Sequence, residues 1–95
     1  MKELENNAHH VAETLKILAH PKRLLILCKL TSWAKYVHEL ERDCTISQSQ
    51  LSQFLAKMKE EGILASEKQG QFVSYSIADA RIVELINHIQ KIFCK

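Results

Sequence analysis

Between Leu4 and Ala19, apolar residues recur at Leu4, Ala8, Val11, Ala12, Leu15, Leu18 and Ala19. That spacing predicts a first helix with one apolar face. His20-Pro21 ends it, because a residue before proline is pushed out of helical backbone and proline suits the first position of a new helix. The second helix runs from Pro21 to about Leu30. Leu24, Leu25, Ile26, Leu27, Cys28 and Leu30 make it apolar almost all round, so it is expected to be buried on every side as the hub of the core. Thr31 to Lys35, with Trp33, form a connection. A short helix follows with Val37, Leu40 and Cys44 in step.

The next stretch, Ile46 to Gly62, has both its ends written into it. Ser47 is placed to cap a helix with Gln50 completing a capping box, and Ile46 with Leu51 can form a hydrophobic staple. Gly62 suits the left-handed residue that closes the helix. Leu51, Phe54, Leu55 and Met58 form a narrow inward stripe. Gln48, Ser49, Ser52, Gln53, Ala56 and Lys57 lie outward, with no acid before Glu60. Small hydroxyls and amides on an exposed face suit close approach to phosphates and base edges, which makes this the candidate DNA-recognition helix. Its short separation from the preceding helix reads as helix-turn-helix.

After Gly62 the period changes from helical to alternating. Ile63 to Lys68 and Phe72 to Ile77, separated by Gln69-Gly70-Gln71, predict a hairpin. The fold class is therefore mainly α with a small β-hairpin wing, a winged helix-turn-helix in a single domain over residues 1–95. Asp79 caps a last helix from Ala80 to about Phe93. There Ile82, Val83, Leu85, Ile86, Ile89, Ile92 and Phe93 cover more surface than one small domain can hide. Burying each such side chain is worth ~1.5–3 kcal/mol, so a homodimer through the first and last helices is expected.

Composition narrows the class. A formal charge of +2 over 95 residues is a weak signal, so a nucleic-acid binder has to concentrate its lysines locally. Without a membrane-length apolar run or a signal-peptide pattern, a cytoplasmic location with no membrane partner is expected. Three cysteines with no tight pairing motif do not resemble a secreted disulfide framework. No nucleophile, base and oxyanion donors group together, so no enzyme and no cofactor are expected.

The order of elements and several segments resemble the ArsR/SmtB family of winged-helix regulators. The segments are Leu-Ala-His-Pro-Lys-Arg-Leu-Leu-Ile-Leu (18–27), Ser-Gln-Ser-Gln-Leu-Ser-Gln (47–53), Glu-Gly-Ile-Leu (61–64) and Tyr-Ser-Ile (75–77). The resemblance implies a homodimeric repressor of double-stranded operator DNA, released by an inducer. Positions matching the DNA-contacting ones are Gln48, Ser49, Ser52 and Gln53, with Lys57 and Lys68 supplying charge. Phe54 stands where many members carry His, and the wing Lys68-Gln69-Gly70-Gln71 is less basic than usual.

The family's metal-ligand positions hold the wrong residues here. Tyr36 and His38 replace one Cys-x-Cys, and Arg81 and Ile92 replace histidines of another set. His9, His10 and His88 read as solvated side chains, so no metal site is expected. From the residues alone, each cysteine can equally be an inert buried side chain. Leu-Leu-Ile-Leu-Cys (24–28) and the terminal Phe-Cys (93–94) are similar to the sulfur- and redox-responsive BigR/HlyU-like branch. That likeness implies a sensing pair, Cys28 and Cys94, bridged by reactive sulfur species or an oxidant. Lys29 and Lys95 follow the two thiols directly, whereas Cys44 reads as core. Three alternatives stay open: a metal-responsive repressor, a regulator without its own sensor that displaces another DNA-binding protein, and a dimer kept for protein contacts.

Overall fold

Pro21 and the residues around it set the course of the chain. In the computed structural model, which describes residues 2–94, α1 (Lys2–Leu18) stops short of His20, whose extended backbone caps α2 (Pro21–Leu30). His20 Nδ1 accepts the Lys22 N–H at 3.1 Å. Lys95, one of the two lysines beside the candidate thiols, lies outside the described residues, as does Met1. The remaining elements are β1 (Lys35–Tyr36), α3 (Val37–Cys44), α4 (Gln48–Glu60), β2 (Leu64–Gln69), β3 (Phe72–Ile77) and α5 (Ala80–Phe93).

The signals read at the ends of α4 are met with one adjustment. Ser47 Oγ accepts the Gln50 N–H at 3.2 Å, which is the first half of the expected capping box. The reciprocal arrangement appears instead at α3, where Glu39 Oε1 accepts the Tyr36 N–H at 2.9 Å. At the far end Gly62 has φ +79. Its N–H donates to Lys59 O at 3.0 Å, and that of Ile63 to Met58 O at 2.9 Å, the paired bonds of a Schellman close.

Leu51, Leu55 and Met58 of α4 pack with Leu40 and Cys44 of α3, Ile26 and Leu27 of α2, and Ile86 of α5, all essentially without solvent exposure. Helix α2 buries Ile26, Leu27 and Leu30 fully in this core. Leu24, Leu25 and Cys28 are half-buried, so the expected hub is not enclosed on every side. These three pack against the core and are still partly open to solvent in the single chain.

The sheet holds three antiparallel strands in the order β1-β3-β2, one more than expected. Lys35 and Tyr36 pair with Tyr75 and Ser74, and two residues are too few to show an alternating pattern. Residues 31–35 are therefore not wholly a connection. The hairpin register pairs Gln69 with Phe72, so the turn is the two residues Gly70-Gln71, with Gly70 at φ +64. The second strand accordingly starts at Leu64 and includes Gln69.

Helix α1 is nearly all exposed. Ile17 and Leu18 enter the core, whereas Leu4, Val11 and Leu15 are 46%, 38% and 48% exposed. At the other terminus Ile92 and Phe93 are 63% and 78% exposed. Two substitutions test the core described above. Leu40→Ala is expected to cost ~2–5 kcal/mol and Ser47→Ala ~1 kcal/mol, read as lowered urea midpoints. Unchanged midpoints would contradict the packing and the cap.

Candidate nucleic-acid interface and thiol site

The inward stripe of α4 dictates what its outer face can present. With Leu51, Phe54, Leu55 and Met58 buried, Gln48, Ser49, Ser52, Gln53, Ala56 and Lys57 are all exposed on one side. Helix α3 ends at Cys44, and residues 45–47 form the turn into α4. Thr45 takes the left-handed conformation there, at φ 48. The helix-turn-helix and the wing thus frame a polar surface rich in hydroxyls and amides.

Its positive charge is sparse. Lys57 Nζ lies 3.2 Å from Glu61 Oε1, an exposed pair one helical turn apart. Such a pair is worth ~0–1 kcal/mol, so a phosphate can take the lysine over. Lys68 is exposed on the wing. Lys59 Nζ donates to Ser66 Oγ at 2.7 Å and ties α4 to β2. The sequence reading missed an aromatic group beside the wing: Tyr36 and His38 stack at 5.7 Å, with Phe72 edge-on to both. Tyr36 Oη also donates to Gln69 Oε1 at 2.8 Å. Only the unseen pairing of β1 with β3 brings these rings together.

Phe54 packs into the core at 8% exposure. His20 meets its ring edge-on at 4.7 Å, and the Arg23 guanidinium lies 4.7 Å from its centroid. A histidine there would bring a second imidazole against His20 and Arg23; phenylalanine brings only an apolar ring with a negative face.

All three cysteines are free thiols in three different settings. Cys44 is fully buried in α3, and burial pushes its thiol pKa up. Cys28 is half-buried on α2. Cys94 is exposed just beyond α5, its N–H donating to Gln90 O at 2.8 Å. Helices α2 and α5 pack against each other, so the two candidate thiols ride on adjoining elements. Among the described residues, no three His, Cys, Asp or Glu side chains converge as a metal site. Asp79 accepts the Arg81 N–H at 2.9 Å and pairs with its guanidinium at 2.8 Å. The Arg81 side chain holds that carboxyl below the usual carboxylate range.

Comparison with known proteins places this geometry. Residues 20–66 match the bacterial regulatory protein, arsR family. The chain is 36% identical over 93 residues to the biofilm growth-associated repressor of Xylella fastidiosa, covering 98% of this chain and 82% of that one. It is 32% identical over 95 residues to the transcriptional activator HlyU of Vibrio cholerae, covering 100% and 88%. The crystal structure of the repressor BigR from Xylella fastidiosa superposes with a TM-score of 0.93 at 35% identity, covering 99% and 96%. Reduced HlyU from Vibrio cholerae gives 0.92 at 32% identity, covering 100% of both chains. The chain belongs to the arsR family. This ArsR-family chain is a winged-helix, DNA-binding transcriptional regulator and not an enzyme.

Within this ArsR-family chain the burial of the thiols sets an order of reactivity, because attack needs an accessible thiolate. Maleimide labelling followed by peptide mass analysis is expected to modify Cys94 first, Cys28 more slowly, and Cys44 only on unfolding. Labelling of Cys44 in the folded protein at the rate of Cys94 would contradict the burial described.

Proposed function

We propose that this chain is a cytoplasmic, homodimeric repressor whose operator binding is switched by a bridge between Cys28 and Cys94. The observation that carries the reading is the placement of a half-buried thiol on α2 and an exposed one at the end of the adjoining α5, which bears uncovered apolar residues. In the reduced dimer the two α4 helices enter successive major grooves of a pseudo-palindromic operator. Gln48, Ser49, Ser52 and Gln53 approach the bases and backbone, while Lys57 and Lys68 meet phosphates.

Bridging is a two-electron oxidation. A persulfide RSSH takes the electron pair and both thiol protons, leaving RSH and H₂S as the Cys28–Cys94 disulfide forms. Where one RSSH first passes its outer sulfur to a thiol, releasing RSH, and a second takes the electron pair, leaving RSH and H₂S, the product is a trisulfide, whose extra sulfur relaxes the ~7 Å limit on Cα separation. Tying α2 to α5 changes the spacing of the recognition helices across the dimer, and the operator is released. A coupling of ~1–3 kcal/mol changes affinity about 5- to 150-fold.

The apolar side chains of α1 and α5 support the dimer, since leaving Leu4, Leu15, Ile92 and Phe93 in water is unfavourable. Repression is the sign favoured by the likeness to BigR, a transcriptional repressor. The likeness to HlyU, a transcriptional activator, supports a second reading in which the chain displaces another DNA-binding protein.

The Cys28→Ser and Cys94→Ser variants are expected to bind operator as the reduced wild type does and to stay bound after polysulfide treatment. Release of either variant at the wild-type dose would sink the switch. Light scattering at micromolar concentration is expected to give twice the chain mass; a monodisperse monomer would rule out the dimer.

A further inference from the structure

The first turn of α2 is built against its own dipole. The N-terminal end of a helix carries partial positive charge and favours acids, yet this turn holds Lys22 and Arg23 and no acid. Both cations reach away from α2 to carbonyl oxygens near the C-terminal ends of other helices, where partial negative charge collects. Lys22 Nζ donates to Cys44 O and to Thr45 O, each at 3.0 Å. These carbonyls close α3 at the left-handed residue that begins the turn into α4. Arg23 Nη1 donates to Ile17 O in the last turn of α1 at 2.9 Å, while its guanidinium lies over the Phe54 ring of α4.

We propose that Lys22 and Arg23 form the joint that fixes the recognition helix in the frame of the dimer helix α1 and the thiol-bearing helix α2. Lys22 holds the turn immediately before α4, and Arg23 joins the end of α1 to the middle of α4. Both are positioning residues. Movement of α2 when Cys28 changes state reaches α4 through these contacts, and that part rests on the function proposed above. The joint itself acts in the reduced protein and does not depend on the thiol switch.

The test compares Lys22→Met and Lys22→Arg with the wild type. Affinity for a DNA fragment that the reduced wild type binds is measured from low to moderate salt under reductant. Lys22→Met keeps the length of the stem and removes the donors. It is expected to weaken binding ~10-fold, the low end of what one lost charge-assisted hydrogen bond is worth, with the slope of log affinity against log salt unchanged. Lys22→Arg, which keeps donors and charge, is expected to restore most of the affinity. A slope reduced by about one phosphate contact would mean that Lys22 touches DNA directly and would overturn the joint, as would unchanged affinity in Lys22→Met. If Lys22→Met does not fold, Lys22→Leu, which also lacks donors, takes its place, with the same outcomes deciding. Failure of the wild type to respond to polysulfide, with these results intact, would fault the switch and leave the joint standing.

Discussion

The seating of one narrow apolar stripe governs the whole molecule. Leu51, Phe54, Leu55 and Met58 anchor α4 to the core, and only because they do can Ser49, Ser52 and Gln53 be presented together on the other side. A helix of 13 residues is near the limit of what holds together in water without tertiary support. Its cap at Ser47 and its glycine close at Gly62 fix where that face begins and ends. The surface it presents is sparsely charged, so its shape and its placement weigh more than electrostatic attraction.

Placement is where the rest of the fold enters. Lys59 ties α4 to the wing, Phe54 receives His20 and Arg23, and Lys22 closes the preceding turn. The contacts of His20, Lys22 and Arg23 converge on the start of α2, at the junction between a largely uncovered α1 and the helix-turn-helix. The incomplete burial of α1, α2 and α5 belongs to the same picture. Apolar surface left on those three helices is surface that a second copy can cover; Cys28 sits on one of them and Cys94 at the end of another.

Much of this was legible in the sequence because it rests on local chemistry. Helix spacing, the His20-Pro21 break, the Ser47 cap, Gly62 and the Asp79 cap are properties of neighbouring residues, and they located the helices of the described residues closely. Strand β1 was illegible because two residues carry no period; its partner β3 lies about forty residues away in sequence. The hairpin turn came out one residue shorter because only pairing across the strands fixes whether Gln69 belongs to the loop. The exposure of α2 could not be read from its composition, which records how apolar a helix is and not how many neighbours it has. For the candidate DNA-facing residues the outward face of α4 was readable from the helical period. The roles of Lys22 and Arg23 were not, although two cations in the first turn of a helix were a signal available in the sequence.

The central claim is that the state of the α2 and α5 thiols governs the placement of α4. Peptide mapping of the protein after polysulfide treatment, under non-reducing conditions, tests this most directly. The expected product has the peptides containing Cys28 and Cys94 of one chain joined through two or more sulfur atoms, with Cys44 unmodified. A product joined through Cys44, or one linking only the Cys94 residues of two chains, would contradict it.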